Sequence, residues 1–194
     1  MKYLQFWHKT SSKRKRIYSV AIMLILAILS TIVGTLIPPS PEDAQLINDQ
    51  LNQTLTKGLT EGTLNTDIFL NNFPLCLLMF IPLIGCFIGM YILFSTGQAL
   101  RAGIDLQMSN GMATATSDIS ITATTIIILL IGAVTVFLIE YLCYSIAMSE
   151  SIWVFRRILQ KKGKRELKWL IILIGITALL LTIGALVETF TLTP

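Results

Sequence analysis

Four long apolar runs, separated by polar stretches, dominate the pattern of the chain. The runs cover residues 17–37, 69–104, 119–148 and 169–189. A helix that crosses a bilayer needs about 20 predominantly apolar residues, and each run is at least that long. The pattern therefore predicts an all-α protein built as a polytopic bundle of transmembrane helices.

The longest polar stretch, residues 38–68, also contains a helical pattern. Its apolar positions recur at the spacing of one helix face, at Ala44, Ile47, Leu51 and Leu55. Pro41 offers a helix start, and Gly58 and Gly62 interrupt the pattern. The stretch therefore predicts a short amphipathic helix followed by a turn.

The second apolar run, residues 69–104, is too long for one span and short for two. Pro82 lies within it, and a proline ends or kinks a helix because it removes a backbone donor and clashes with the preceding turn. Gly85 and Gly89 form a pair of small residues that lets another helix approach closely. We therefore expect a double membrane segment broken at the proline.

The remaining polar stretches are predicted to be a tail or connections between helices. Residues 1–16 form a basic tail, and residues 105–118 form a loop in which Asn110-Gly111 signals a turn. Residues 149–168 form a basic turn ending near Gly163, and residues 190–194 form the C-terminal tail.

Composition places the protein in lipid. The chain is 54% hydrophobic and only 13% charged, whereas soluble domains carry roughly 25% charged residues. The net charge of +4 does not indicate a nucleic-acid partner, because thirteen of the fifteen Lys and Arg residues lie in stretches 1–16 and 156–168, beside apolar runs. The expected partners are the lipid bilayer and other membrane proteins or further copies of the chain.

The charge pattern also constrains the topology. Basic stretches beside membrane spans mark cytoplasmic loops, so both stretches are expected inside. The chain leaves the cytoplasm at residues 17–37 and must return by residue 156, which requires an odd number of crossings between them. A split of the second run at Pro82 gives three crossings in that interval. The whole chain then has five crossings, a cytoplasmic N-terminus and an extracytoplasmic C-terminus. The helix in 38–68 is then extracytoplasmic.

Four polar residues within or beside the apolar runs are candidates for a functional site. Ionisable groups at membrane depth are costly and are functional candidates by default. Glu140 lies deep in its run, while Glu188 is placed near the outer interface. Asn71 and Asn72 open the segment that contains Pro82, where helix capping is the favoured interpretation.

Motifs of known catalytic chemistry are not found in the sequence. The one histidine, His8, lies in the N-terminal tail, so neither a Ser/His/Asp set nor a histidine metal site is expected. The sequence has no phosphate loop, H-E-x-x-H or C-x-x-C motif. We therefore expect a protein that is not an enzyme and holds no cofactor or metal.

Short motifs in the same order resemble the stage II sporulation protein M family of integral membrane proteins. They are Phe-Leu-Asn-Asn at 69–72, Phe80-Ile81-Pro82-Leu83-Ile84-Gly85 with Gly89, Tyr91 and Thr96-Gly97, Leu138-Ile139-Glu140-Tyr141, and Leu186-Val187-Glu188-Thr189-Phe190 with Pro194. The chain departs from the family at Val136-Phe137, where a His-Gly pair is common. The resemblance implies a five-helix membrane scaffold that acts with other proteins, such as those that remodel peptidoglycan in spore-forming bacteria.

Two functions follow from these observations. The first is a non-catalytic membrane scaffold or accessory subunit of a larger membrane complex. The alternative is a transporter or permease component that uses Glu140, with Asn71, Asn72 and the helix broken at Pro82, since broken helices build transporter sites. The test that separates them is whether Glu140→Gln abolishes a flux while the protein stays folded.

Overall fold

The computed structural model describes residues 11–113 and 123–192, and these residues fold into six helices without a strand. The helices are α1 (Ser12–Leu36), α2 (Pro41–Glu61), α3 (Leu64–Met79), α4 (Ile84–Ala113), α5 (Ala123–Leu159) and α6 (Gly163–Leu192). His8 and most of the N-terminal tail lie outside the described residues. The prediction of an all-α fold is confirmed.

Helix α2 begins and ends at residues with the expected capping chemistry. The Ser40 hydroxyl accepts a hydrogen bond from the Asp43 N–H at 3.2 Å, and Pro41 follows in the first turn. Gly62 ends the helix with φ at 68°, a conformation that glycine adopts without steric cost. Gly58 does not interrupt α2 as expected, because it lies inside the helix and packs against Leu64 at the start of α3.

The second apolar run breaks at residues 80–83, which contain Pro82. Helix α3 ends at Met79, and α4 begins at Ile84. Between them Leu83 has a positive φ of 66°, and its N–H donates to the Ser151 carbonyl of α5 at 3.3 Å. The break is thus held against a neighbouring helix by its own backbone.

Two predicted connections are largely helical, which corrects the sequence interpretation. Helix α4 continues to Ala113, so Asn110-Gly111 lies within a helix and not in a turn. This part of the chain contains no proline and is rich in helix formers such as Leu, Gln, Met and Ala, so nothing ends the helix at the membrane boundary. The rest of the predicted loop, residues 114–118, lies outside the described residues.

The basic stretch 149–168 is also mostly helix. Helix α5 extends to Leu159 and α6 begins at Gly163, so only residues 160–162 connect them, with Lys161 at a φ of 57°. A helix does not need to end where its membrane span ends, because long basic side chains favour helix and can reach water from an interface.

Contacts between helices give their relative directions. Ser30 bonds to the Met90 carbonyl and Gln98 to the Ile37 carbonyl, so α1 and α4 run side by side in the same direction. Helix α5 runs the opposite way, because Tyr141 meets Thr31 of α1 while Glu150 pairs with Arg16.

Helix α3 runs in the same direction as α5, and α6 runs in the opposite direction. Asn72 of α3 bonds to Glu140, and the break that follows α3 meets Ser151, eleven residues further along α5. On α6, Glu166 reaches the Arg16 end of the bundle, while Thr177 packs against Cys143. Helices α1, α4 and α6 therefore run one way, and α3 and α5 the other.

The bundle has an apolar interior and an apolar exterior. Buried residues from α1, α3, α4, α5 and α6 form one core, among them Ala27, Met79, Leu93, Met148 and Leu181. The outer faces of α1 and α6 also expose large apolar side chains, including Ile25 and Leu179. Since water does not favour such faces, they are suited to lipid.

Among the described residues, three helical segments are long and apolar enough to cross a membrane. They are Lys13–Leu36, Val134–Leu159 and Glu166–Leu192. These segments belong to α1, α5 and α6, and they are compatible with a membrane-spanning protein.

Candidate functional site

A hydrogen-bonded cluster joins α3 to α5 inside the bundle. The Asn72 amide donates to Glu140 Oε1 at 2.5 Å, and the Tyr144 hydroxyl donates to Asn72 Oδ1 at 3.2 Å. Tyr144 is only 5% exposed, and both Asn72 and Glu140 are half-buried. We call Asn72, Glu140 and Tyr144 the polar cluster.

The position of Asn72 corrects the expectation that the two asparagines cap a helix. Helix α3 begins at Leu64, two turns before them, and the residue that precedes it is Thr63. Asn72 therefore lies within the helix and faces α5. Asn71 is exposed beside it, and its amide donates to Asn72 Oδ1 at 3.4 Å.

Glu188 lies near the polar cluster but outside its hydrogen bonds. It is half-buried on α6, and it is close enough to Glu140 for the two carboxyl groups to interact electrostatically. The structure thus brings all four polar candidates to one region of the bundle, on three different helices, and of the four only Asn71 is exposed.

Two tyrosines beside Glu140 belong to this region and were not singled out from the sequence. Tyr144 follows Glu140 by four residues, a spacing that places both on one helix face, so the pattern could have revealed it. Tyr141 is 2.5 Å from Thr31 through their hydroxyl groups, and Thr31 also donates to the Leu93 carbonyl at 3.1 Å. That link joins α1, α4 and α5, and no local sequence pattern predicts it.

The small residues predicted to permit close packing do so within the chain. A Cβ at Gly85 would overlap the Met79 carbonyl across the break, and one at Gly89 would meet the Met148 side chain. A Cβ at Gly97 would overlap the Thr31 carbonyl of α1. These glycines therefore serve contacts between helices of the same molecule.

A second group of charged residues lies at the end of the bundle where α1 begins. Arg16 forms ion pairs with Glu166 and, at 3.6 Å, with Glu150, while Arg157 lies 3.3 Å from Glu166. Both guanidinium groups stack on the Trp153 ring. We call these five residues the ion-pair cluster, and it brings together Arg16 and Arg157, one from each basic stretch of the sequence.

The chemistry of the polar cluster is that of carboxyl, amide and phenol oxygens. Such groups can hold a proton or lock helices together, since a buried polar group needs a partner. Among residues 11–113 and 123–192, no group of three or more His, Cys, Asp or Glu side chains is arranged to hold a metal ion.

Comparisons with known proteins give no match. No family model matches the sequence, and no curated protein or solved structure matches the chain. The function must therefore be argued from the chain itself.

Proposed function

We propose that the protein is a non-catalytic integral membrane scaffold or an accessory subunit of a larger membrane complex. The observation that supports this most is helix α2, which is attached to α3 and α4 but leaves most of its surface exposed. Two large apolar side chains on it are among the exposed ones, Leu46 at 57% and Leu59 at 49%. Because α2 is ordered and open over most of its length, it offers a surface for a protein partner.

The proposed topology has five crossings, by α1, α3, α4, α5 and α6, with α2 extracytoplasmic. It is supported by the alternating helix directions and by the meeting of both basic stretches in the ion-pair cluster, which the positive-inside rule assigns to the cytoplasm. The N-terminus is then cytoplasmic and the C-terminus extracytoplasmic. Helix α3, with 16 residues, spans about 24 Å and relies on its protein neighbours for cover.

The internal use of the polar residues also favours a scaffold. Asn72 and Glu140 bond to each other, and Gly85, Gly89 and Gly97 pack against helices of the same chain. These five residues thus find their partners within the chain, which leaves α2 and the outer apolar faces for other proteins. The resemblance to the stage II sporulation protein M family supports the same proposal.

The test is site-specific photo-crosslinking of the tagged full-length chain in its native membrane. A crosslinking residue at Leu59 should capture one stoichiometric protein, and the same residue at Ile25, on the lipid-facing side of α1, should not. Leu59→Lys should then reduce co-purification of that protein in nanodiscs without lowering the yield of the chain. A chain that purifies alone, with no adduct from Leu59, would overturn the proposal.

One observation favours the alternative, a transporter or permease component. Glu140 and Glu188 lie on α5 and α6, close enough for an electrostatic interaction, and ionisable groups at membrane depth are functional candidates by default. In proteoliposomes this function predicts a proton or cation flux that Glu140→Gln abolishes, with Glu61→Gln on exposed α2 as the control. Equal flux in vesicles with and without the protein would exclude a transport function.

A further inference from the structure

A groove of about 740 Å³ opens between α1, α5 and α6, beside the ion-pair cluster. Its wall is apolar over most of its length, with Val20 and Leu24 from α1, Ile146 from α5 and Leu173 from α6. On α5 the lining extends from Leu142 to Arg157, about 22 Å of helix. This exceeds the ~15 Å depth of one hydrocarbon leaflet, so the groove can hold an acyl chain lying along the bundle.

The charged end of the groove favours an anion. The residues lining the groove and the small pocket that adjoins it include five basic and two acidic side chains. The Arg16 and Arg157 guanidinium carbons lie 5.0 and 5.2 Å from the centre of the Trp153 ring. A guanidinium has five N–H donors, so the ion pairs with Glu150 and Glu166 leave donors for a further anion.

Two buried donors at this end have no hydrogen-bond partner within the described part of the chain. They are the Trp153 indole N–H and the Arg157 Nε–H. Arg157 Nε lies 3.3 Å from Glu166 Oε1, but the N–H is not aligned for a hydrogen bond. Buried donors in native proteins are normally satisfied, so an acceptor is expected here.

We propose that this groove binds one anionic phospholipid. The acyl chain lies against the apolar wall, and the phosphate oxygens accept from Trp153, Arg157 and Arg16 at the end that the topology assigns to the cytoplasm. A free phosphate would leave the apolar wall unused, and an uncharged lipid would leave the donors unused. The proposal rests on membrane insertion and is independent of the scaffold function.

The test is native mass spectrometry of the full-length protein in detergent, titrated with three probes. Phosphatidylglycerol should bind at one site at least tenfold more tightly than phosphatidylcholine of the same acyl chains. Glycerol 3-phosphate, which carries the phosphate without acyl chains, should show no binding at the same concentrations. Equal affinity for the two lipids, or binding of glycerol 3-phosphate as tight as that of phosphatidylglycerol, would overturn the proposal.

Matched variants separate the groove from general attraction to a basic surface. Arg157→Gln should weaken phosphatidylglycerol binding about tenfold, whereas Lys162→Gln, which removes one charge from an exposed position outside the groove, should not. Ala21→Phe should fill the groove and weaken binding, whereas Ile22→Phe, at an exposed position of the same helix that does not line the groove, should not.

Loss of the Arg157 ion pair could itself unfold the protein, so a milder variant is also needed. Trp153→Phe keeps an aromatic ring beside the two arginines and removes the indole donor. It should weaken phosphatidylglycerol binding while the apparent melting temperature in detergent stays close to that of the wild type. Wild-type affinity in both Trp153→Phe and Ala21→Phe would refute the site.

Discussion

At the scale of single residues, Asn71 and Asn72 show how much depends on where a helix begins. Successive residues of a helix point about 100° apart, so only one of two neighbours can face α5. Asn72 reaches Glu140 and Tyr144, while Asn71 is exposed. The sequence identified both asparagines and Glu140 as candidates. Which asparagine faces Glu140 depends on where α3 begins. No strong local signal marks that position, because Leu64 follows α2 after only two residues.

The two asparagines give a matched prediction about stability. Asn72→Ala removes the donor to Glu140 and the acceptor of Tyr144, so it should destabilise the protein by about 1 kcal/mol, the usual scale for polar contacts between membrane helices. Asn71→Ala should change stability by less than about 0.5 kcal/mol, as exposed substitutions do. Reversible unfolding in mixed micelles measures both values, and equal effects would show that the polar cluster does not link α3 to α5.

Glu140 itself predicts a contrast between two replacements. Glu140→Gln keeps an oxygen that can accept from Asn72 and should retain most of the stability, whereas Glu140→Leu leaves the Asn72 donor unpaired and should cost about 1–3 kcal/mol. The same unfolding measurement compares them. If Glu140→Gln were as damaging as Glu140→Leu, the charge of Glu140 and not its hydrogen bond would stabilise the fold.

At the scale of helices, the sequence located the elements better than their ends. Where the structure describes them, the apolar runs lie almost entirely in α1 and α3 to α6, apart from the break at 80–83, but α4 and α5 continue well beyond the runs. Hydrophobicity reports where lipid surrounds a helix, while the end of the helix depends on capping and breakers, which are weak after residue 104. The parallel packing of α1 on α4 depends on contacts far apart in sequence, such as Ser30 with Met90, and no periodicity reveals it.

Two glycines of α4 test this packing. A Cβ at Gly97 would overlap the Thr31 carbonyl, so Gly97→Ala should force α1 and α4 apart and cost about 1–3 kcal/mol. Within the described part of the chain, nothing but the helix's own backbone lies within 4 Å of a Cβ placed at Gly103, so Gly103→Ala should be neutral or stabilise the helix by up to ~1 kcal/mol. Apparent melting temperatures in one detergent compare the two, and a stabilising Gly97→Ala would contradict this helix crossing.

At the scale of the whole molecule, the charge pattern predicts a topology, and the structure supplies contacts between helices. The number of crossings between the two basic stretches can be predicted from the sequence alone, but that number does not predict which residues are in contact. The structure joins those stretches through Arg16, Glu150, Arg157 and Glu166, which are up to 150 residues apart. The sequence does not distinguish Glu150 and Glu166, because acids within a basic stretch resemble ordinary surface residues until their partners are known.

The arrangement predicts which positions face each side of the membrane. With Cys76, Cys86 and Cys143 replaced, single cysteines are introduced at four exposed positions, Gln53, Ile81, Asp105 and Lys162. Five crossings place Gln53 of α2 and Asp105 of α4 outside, so a membrane-impermeant maleimide should label both in intact cells. Ile81, in the break after α3, and Lys162, between α5 and α6, should react only after the membrane is opened.

Ile81 decides between the two ways of placing α3. If α3 were a re-entrant segment, residue 81 would lie on the side of Gln53 or within the bilayer, and opening the membrane would not create new labelling there. Lys162 serves as the control, because the positive-inside rule places it in the cytoplasm in either case. If Ile81→Cys is labelled only after the membrane is opened, like Lys162→Cys, and Asp105→Cys is labelled in intact cells, like Gln53→Cys, then α3 and α4 must each cross the membrane. The short α3 must then depend on α4, α5 and α6, which pack around it, for cover from lipid.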